Sequence, residues 1–167
     1  MHTSFLTPCL FALLAAIGPA GTAHAHADAS GHGPRTVPSP DTYPWGRAGA
    51  PGPAVRVIRV DMHDTMRFKP ASLRVRQGET VRFVVRNRGA VLHEMVIGTG
   101  EALASHAELM RKHPGMEHDE PYMAHVAPGR RGEIVWTFSE PGRFWYGCLV
   151  PGHWEAGMKG RIVVVPR

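Results

Sequence analysis

Between Val55 and Val165 short runs of alternating apolar and polar residues recur, each closed by a turn signal. Strand side chains point to opposite faces in turn, so a period of two specifies half-buried strands rather than helices. Val55–Val60 is β-branched and is bounded by Pro53 and an Asp-bearing turn. Ser72–Arg76 ends at Gln77-Gly78-Glu79, and Thr80–Arg86 ends at Asn87-Arg88-Gly89. Leu92–Ile97, Glu133–Phe138, Arg143–Cys148 and Arg161–Val165 complete seven such runs. Ile134, Trp136 and Phe138 share one face of their run; Phe144, Tyr146 and Cys148 share one face of theirs. Only Glu101–Lys112 changes period: Leu103, Ala107 and Met110 fall at helical spacing, Thr99 stands as N-cap, and Pro114-Gly115 follows. Strands at this spacing with one short inserted helix predict an all-β Greek-key sandwich.

The first stretch, residues 1–25, is not part of that pattern. Its apolar run Phe11–Ile17 is too short to cross a bilayer, and Ala-x-Ala follows at Ala23–Ala25 and again at Ala25–Ala27. This reads as a cleaved signal peptide, although no Lys or Arg precedes the apolar run. Cys9 follows Thr7-Pro8, which does not resemble a lipoprotein cleavage box. The expected location is periplasmic or secreted, with no stable membrane insertion after cleavage. Residues 26–53 are rich in Pro, Gly, Ala and Ser and lack a hydrophobic period, so they read as a flexible arm. The folded domain is expected over residues 54–167, long enough for a proper core.

The net charge of +5 comes from scattered residues such as Arg74, Arg76, Arg82, Arg86 and Arg88, placed as on a solvated strand face. No nucleic-acid-binding motif accompanies them.

Signal cleavage leaves Cys148 as the sole cysteine, so no intramolecular disulfide can form. Alone it could be an inert buried thiol. Its neighbours, Cys148-Leu-Val-Pro-Gly-His153-Trp-Glu-Ala-Gly-Met158, give Cys-x4-His-x4-Met on a Pro- and Gly-bearing loop between two strands. Thiolate, imidazole and thioether together suit copper in both oxidation states. A His2Cys set with a weak axial Met is the electron-transfer geometry and needs one more histidine, which His93 supplies best, in a strand directly after a turn. Zinc competes, but structural zinc sites recruit more thiolates and have no use for a thioether.

The loop, the segment Asn87–Met95 and the strand Phe144-Trp-Tyr-Gly-Cys148 resemble the cupredoxins, the group that contains plastocyanin, azurin and auracyanin. Closest in pattern are periplasmic cupredoxins of bacterial copper-tolerance systems, which share the Asp64–Pro70 type of segment, the His-Glu pair and a Met/His-rich helical insertion. The resemblance covers about Val55–Val165. It implies one type 1 copper centre, with His93, Cys148 and His153 equatorial and Met158 axial. It departs at Glu94, where many blue copper proteins place Asn, Asp or Ser to brace the ligand loop. His153, at the loop tip, is the expected electron port.

A second group of soft and imidazole donors crowds the insertion: Met110, His113, Met116, His118, Met123 and His125, with Met62, His63 and Met66 upstream. They are candidate accessory copper ligands, against the plainer reading of Met110 as core and the histidines as solvated. Three functions compete: a copper-binding tolerance protein that transfers single electrons, a plain carrier to a respiratory redox partner, and a Cu(I)-oxidising enzyme fed by an accessory site. The first is preferred. The His-Cys-His pattern of a trinuclear copper cluster is missing, which argues against a self-sufficient multicopper oxidase.

Overall fold

The strands form two facing sheets in the computed structural model, which describes residues 42–53, 55–116 and 118–167. The expected signal peptide, and the expected arm up to residue 41, lie outside the described residues. In chain order the elements are β1 (Thr42–Tyr43), β2 (Gly46–Ala48), β3 (Arg56–His63), β4 (Arg67–Lys69), β5 (Ser72–Arg76), β6 (Thr80–Asn87), β7 (His93–Gly98), α1 (Gly100–Lys112), β8 (Met123–Val126), β9 (Arg131–Thr137), β10 (Gly142–Gly147) and β11 (Lys159–Val165). One sheet runs β1-β2-β9-β6-β3-β4 and the other β5-β11-β10-β7-β8. β3 lies parallel to β6 and β5 parallel to β11, while the remaining pairs are antiparallel. The predicted all-β Greek-key sandwich with one helix is what the chain forms.

Period two becomes the core. Val81, Phe83 and Val85 of β6 are fully buried, as are Val60 and Met62 of β3 and Trp136 of β9. The second sheet faces them with Val75, Met95, Ile97, Tyr146, Ile162 and Val164. Burying each such side chain contributes about 1.5–3 kcal/mol against the chain entropy lost on folding. Intervening residues, Arg74, Arg76 and Arg161 among them, stay exposed.

α1 forms as its spacing predicts. Thr99 caps it, its Oγ1 accepting from the Ala102 N–H at 3.1 Å. Leu103, Ala107 and Met110 are buried in a smaller cluster with Val96, Met123 and Leu149.

The arm reading needs correction at its end. Thr42–Ala48 is not a loose tether: β2 pairs with β9, and β1 folds back on β2. Pro and Gly concealed this in the sequence because the strands are too short to show a period. The anchors are aromatic. Tyr43 and Trp45 stack at 5.1 Å, both meet Tyr122, and the Trp136 indole N–H donates to the Trp45 carbonyl at 2.9 Å.

One close approach offers a test of packing. Gly160 stands opposite Tyr146 across β10 and β11, and a Cβ there would lie 2.1 Å from Tyr146 Cζ. The ring cannot swing freely, since its hydroxyl donates to the Pro70 carbonyl. Gly160→Ala is expected to destabilise the fold by about 2–3 kcal/mol, as overpacking does. An unchanged thermal melting curve would show that the ring is not held.

Candidate metal centre

Three donor atoms converge at one end of the sandwich. β7 delivers His93 at its first residue, and the loop after β10 delivers Cys148 and His153. The antiparallel pairing of β7 with β10, Val96 opposite Gly147, brings the two strands side by side next to these residues. His153 Nδ1 lies 3.2 Å from Cys148 Sγ and 3.3 Å from His93 Nδ1, and His93 Nδ1 lies 4.0 Å from Cys148 Sγ. Metal–ligand bonds of about 2.0–2.3 Å separate neighbouring donors by roughly 3–4 Å, so one ion fits all three. His93 and Cys148 are fully buried and His153 is half-buried.

The loop holds its own shape. The Cys148 N–H donates to the Met158 carbonyl at 3.0 Å, and the Met158 N–H donates to the His153 carbonyl at 3.0 Å. Gly152 and Gly157 carry φ of +86° and +92°, values that side chains resist, which is why the loop between Pro151 and Met158 needs glycine there. Met158 is fully buried in the main core at the loop's end. Of the predicted quartet, His93, Cys148 and His153 bring their donor atoms within 4.8 Å of one another, and Met158 closes the loop that carries two of them.

The turn between β3 and β4 braces both halves of the site. Asp64 Oδ1 lies 2.9 Å from His93 Nε2, so that nitrogen donates and Nδ1 is left with its lone pair toward the thiol. The Ala90 N–H bonds the other Asp64 oxygen at 2.7 Å and, with His93, holds this carboxyl below its usual range. Arg67 reaches the ligand loop, donating to the Ala156 carbonyl at 3.0 Å. Buried Asn87 fixes the approach to His93: its amide donates to the Val91 and Val126 carbonyls and its oxygen accepts from Gly89 N–H. Asp64 and Arg67 carried no role in the sequence reading. No local pattern marks a carboxylate that meets its histidine across 29 residues.

Glu94 replaces the expected short polar residue with a buried carboxylate that is fully used. One oxygen accepts from the Leu149 N–H at 2.8 Å, and the other meets His125 Nδ1 at 2.9 Å. Its own backbone N–H points at Cys148 Sγ at 3.4 Å. The longer side chain thus still braces the ligand loop, through the residue after the cysteine.

Burial pushes the Cys148 thiol up to about 12, although the Glu94 N–H opposes the shift. Without metal the group is a protonated, inaccessible thiol, and metal binding must displace its proton. In the metal-free protein iodoacetamide is expected to alkylate Cys148 more than about a hundredfold slower than after denaturation. Equal rates would place the thiol in solvent.

The candidate accessory donors divide. Met62 is fully buried in the main core, and Met110 and Met123 are buried beneath α1. Met66 is half-buried against the core at φ +58°, Met116 is exposed, and His113 caps the end of α1. His63 ends β3 with its Nε2 buried and unpaired. His118 and His125 come together, and His106, absent from the sequence reading, joins them. It sits on the helical face of Leu103, Ala107 and Met110, the spacing that could have revealed it.

Comparison with known proteins agrees with this geometry. The family of copper-binding proteins of the plastocyanin/azurin type matches residues 55–165. The copper-resistant cuproprotein CopI of Rubrivivax gelatinosus is 48% identical over 156 residues, covering 93% of each chain. The protein of the same name from Pseudomonas aeruginosa is 34% identical over 151 residues, covering 73% of this chain and 83% of its own. Among solved structures, reduced auracyanin from Roseiflexus castenholzii superposes with a TM-score of 0.59 at 24% identity, covering 68% of this chain and 99% of that one.

Proposed function

The chain belongs to the plastocyanin/azurin family of copper-binding proteins, and from that premise we propose that it is a periplasmic one-electron carrier serving copper tolerance. Its cofactor is copper. The observation that carries the reading is the convergence of Cys148 Sγ with the Nδ1 atoms of His93 and His153. His93, Cys148 and His153 would hold the ion, with the Met158 thioether as a further, weaker donor, and copper would supply a one-electron couple there.

The chain's own residues do the rest. Asp64 keeps the His93 lone pair aimed inward, and the Glu94 N–H stabilises the Cys148 thiolate. Two buried ligands and a loop tied at both ends restrict rearrangement between oxidation states. His153 is half-buried at the loop's turn, and Val91 and Leu92, just before His93, are exposed. That end of the sandwich is the docking face for a redox partner, with His153 as the port. The tolerance role rests on likeness to proteins named for copper resistance.

The copper-loaded protein is expected to bleach in the visible on adding one electron per primary copper and to recover on oxidation. A host strain lacking the gene should lose growth on copper, regained with the wild-type gene and not with Cys148→Ser. A band that does not cycle would overturn electron transfer; unchanged growth would overturn the tolerance role.

A further inference from the structure

The excursion from β7 through α1 to β8 gathers three imidazoles that the Cys148 site does not use. His106 lies on α1, His118 in the loop after it and His125 on β8. The His106 and His118 rings have centroids 4.6 Å apart, and those of His118 and His125 are 6.2 Å apart. The two histidines of the primary site stand at 5.0 Å, a separation the His106–His118 pair matches and the His118–His125 pair exceeds by 1.2 Å. Both ring nitrogens of His118 are buried and have no hydrogen-bond partner. Native proteins satisfy buried polar atoms, with protein, water or an ion, so a doubly unpaired imidazole between two others marks a missing ligand.

His125 is oriented as metal-binding histidines are. A carboxylate, Glu94 Oε2, contacts its Nδ1 at 2.9 Å and fixes the ring from behind, while Nε2 bonds the His118 carbonyl at 3.1 Å, a contact that an ion would replace. Among the described residues only His93, Cys148 and His153 already bring their donor atoms together, so the His106, His118 and His125 rings would have to turn about their side-chain torsions to share an ion.

We propose that His106, His118 and His125 form a second metal site that takes Cu(II), with Glu94 as the carboxylate that positions His125. An all-imidazole donor set favours Cu(II) over the other divalent first-row ions. The choice of copper rests on the function proposed above, whereas the site itself rests on the three rings. Glu94 joins the two centres, since its other oxygen holds the amide of Leu149, directly after Cys148. The buried Met110 and Met123 would support this site as packing rather than as ligands.

The test is to load wild-type protein and the His106→Gln/His118→Gln variant with Cu(II), remove free copper by desalting, and measure retained copper, the visible band and the electron paramagnetic resonance spectrum. The variant is expected to retain one copper fewer per chain, keep the visible band and lose a thiolate-free Cu(II) signal. Any copper held elsewhere on the chain is common to both proteins and cancels. Equal retained copper and identical spectra, with the visible band present in both, would overturn the second site alone. Absence of the visible band in wild type would instead overturn the primary assignment. Should the double variant melt early, His118→Asn alone is loaded; retention of the additional signal there would equally overturn the proposal.

Discussion

Cys148→Ser is expected to abolish the intense visible absorption of the Cu(II) protein and to weaken copper retention by more than about a hundredfold. Mutating even an outer-shell partner of a metal ligand costs 10–100-fold in affinity, and this change removes a ligand itself. A serine hydroxyl ionises far less readily than a thiol and is a poor partner for Cu(I). The replacement is nearly the same size and can still accept the Glu94 N–H that now meets Sγ at 3.4 Å, so folding should survive. Met158→Leu makes the contrast: similar volume, a retained band and a shifted potential, because a thioether would be the weakest donor of the set and nearby hydrophobicity tunes the couple. Absorption spectra and copper analysis of the two variants decide it. A Cys148→Ser protein that kept the band would remove the cysteine from the ligand set.

A chain beginning at Ala50 is expected to melt about 10 °C or more below one beginning at Thr42. The shorter chain loses the pairing of β2 with β9, the stacked Tyr43 and Trp45, and the carbonyl that receives the Trp136 indole N–H. Trp136 is fully buried, so its N–H would be left without that partner, at about 1–3 kcal/mol. With the lost aromatic burial the sum is roughly 3–4 kcal/mol, and each kcal/mol moves the melting point of a domain this size by about 3–4 °C. Calorimetry on the two chains checks it. Matching melting temperatures would return Thr42–Ala48 to the status of a tether.

Much of the fold was legible because it follows a period. The β6 alternation of Thr80–Asn87 becomes buried Val81, Phe83, Val85 and Asn87, and the Thr99 cap and the buried stripe of α1 stand where spacing put them. β1 and β2 were missed because two- and three-residue strands carry no period, only aromatic anchors that act across the sheet. The copper loop was legible for a different reason: Cys148, His153 and Met158 lie in one run of chain, so chemistry and spacing arrive together. What braces them does not. Asp64, Arg67 and Glu94 act through contacts 29, 89 and 55 residues away; the Asp64–Pro70 segment and the His93-Glu94 pair stand out only through the family resemblance, and nothing in the linear pattern says what they touch. The insertion was half-read. Its Met and His residues crowd one stretch of sequence, whereas packing sends Met110 and Met123 inward, leaves Met116 exposed and sets His118 between His106 and His125.

The arrangement of the sheets also bears on how crowded copies of this protein behave. A sandwich has open margins where unpaired backbone groups invite another chain to add a strand. Here every margin is blunted. β1 is two residues long, β4 shows Arg67 and Lys69 to solvent, β5 shows Arg74 and Arg76, and β8 is four residues long. Like charges on two copies repel before their backbones can align. With Cys148 enclosed, the described residues also offer no exposed thiol for cross-linking. Concentrated protein should therefore remain dispersed rather than knit edge to edge into fibrils.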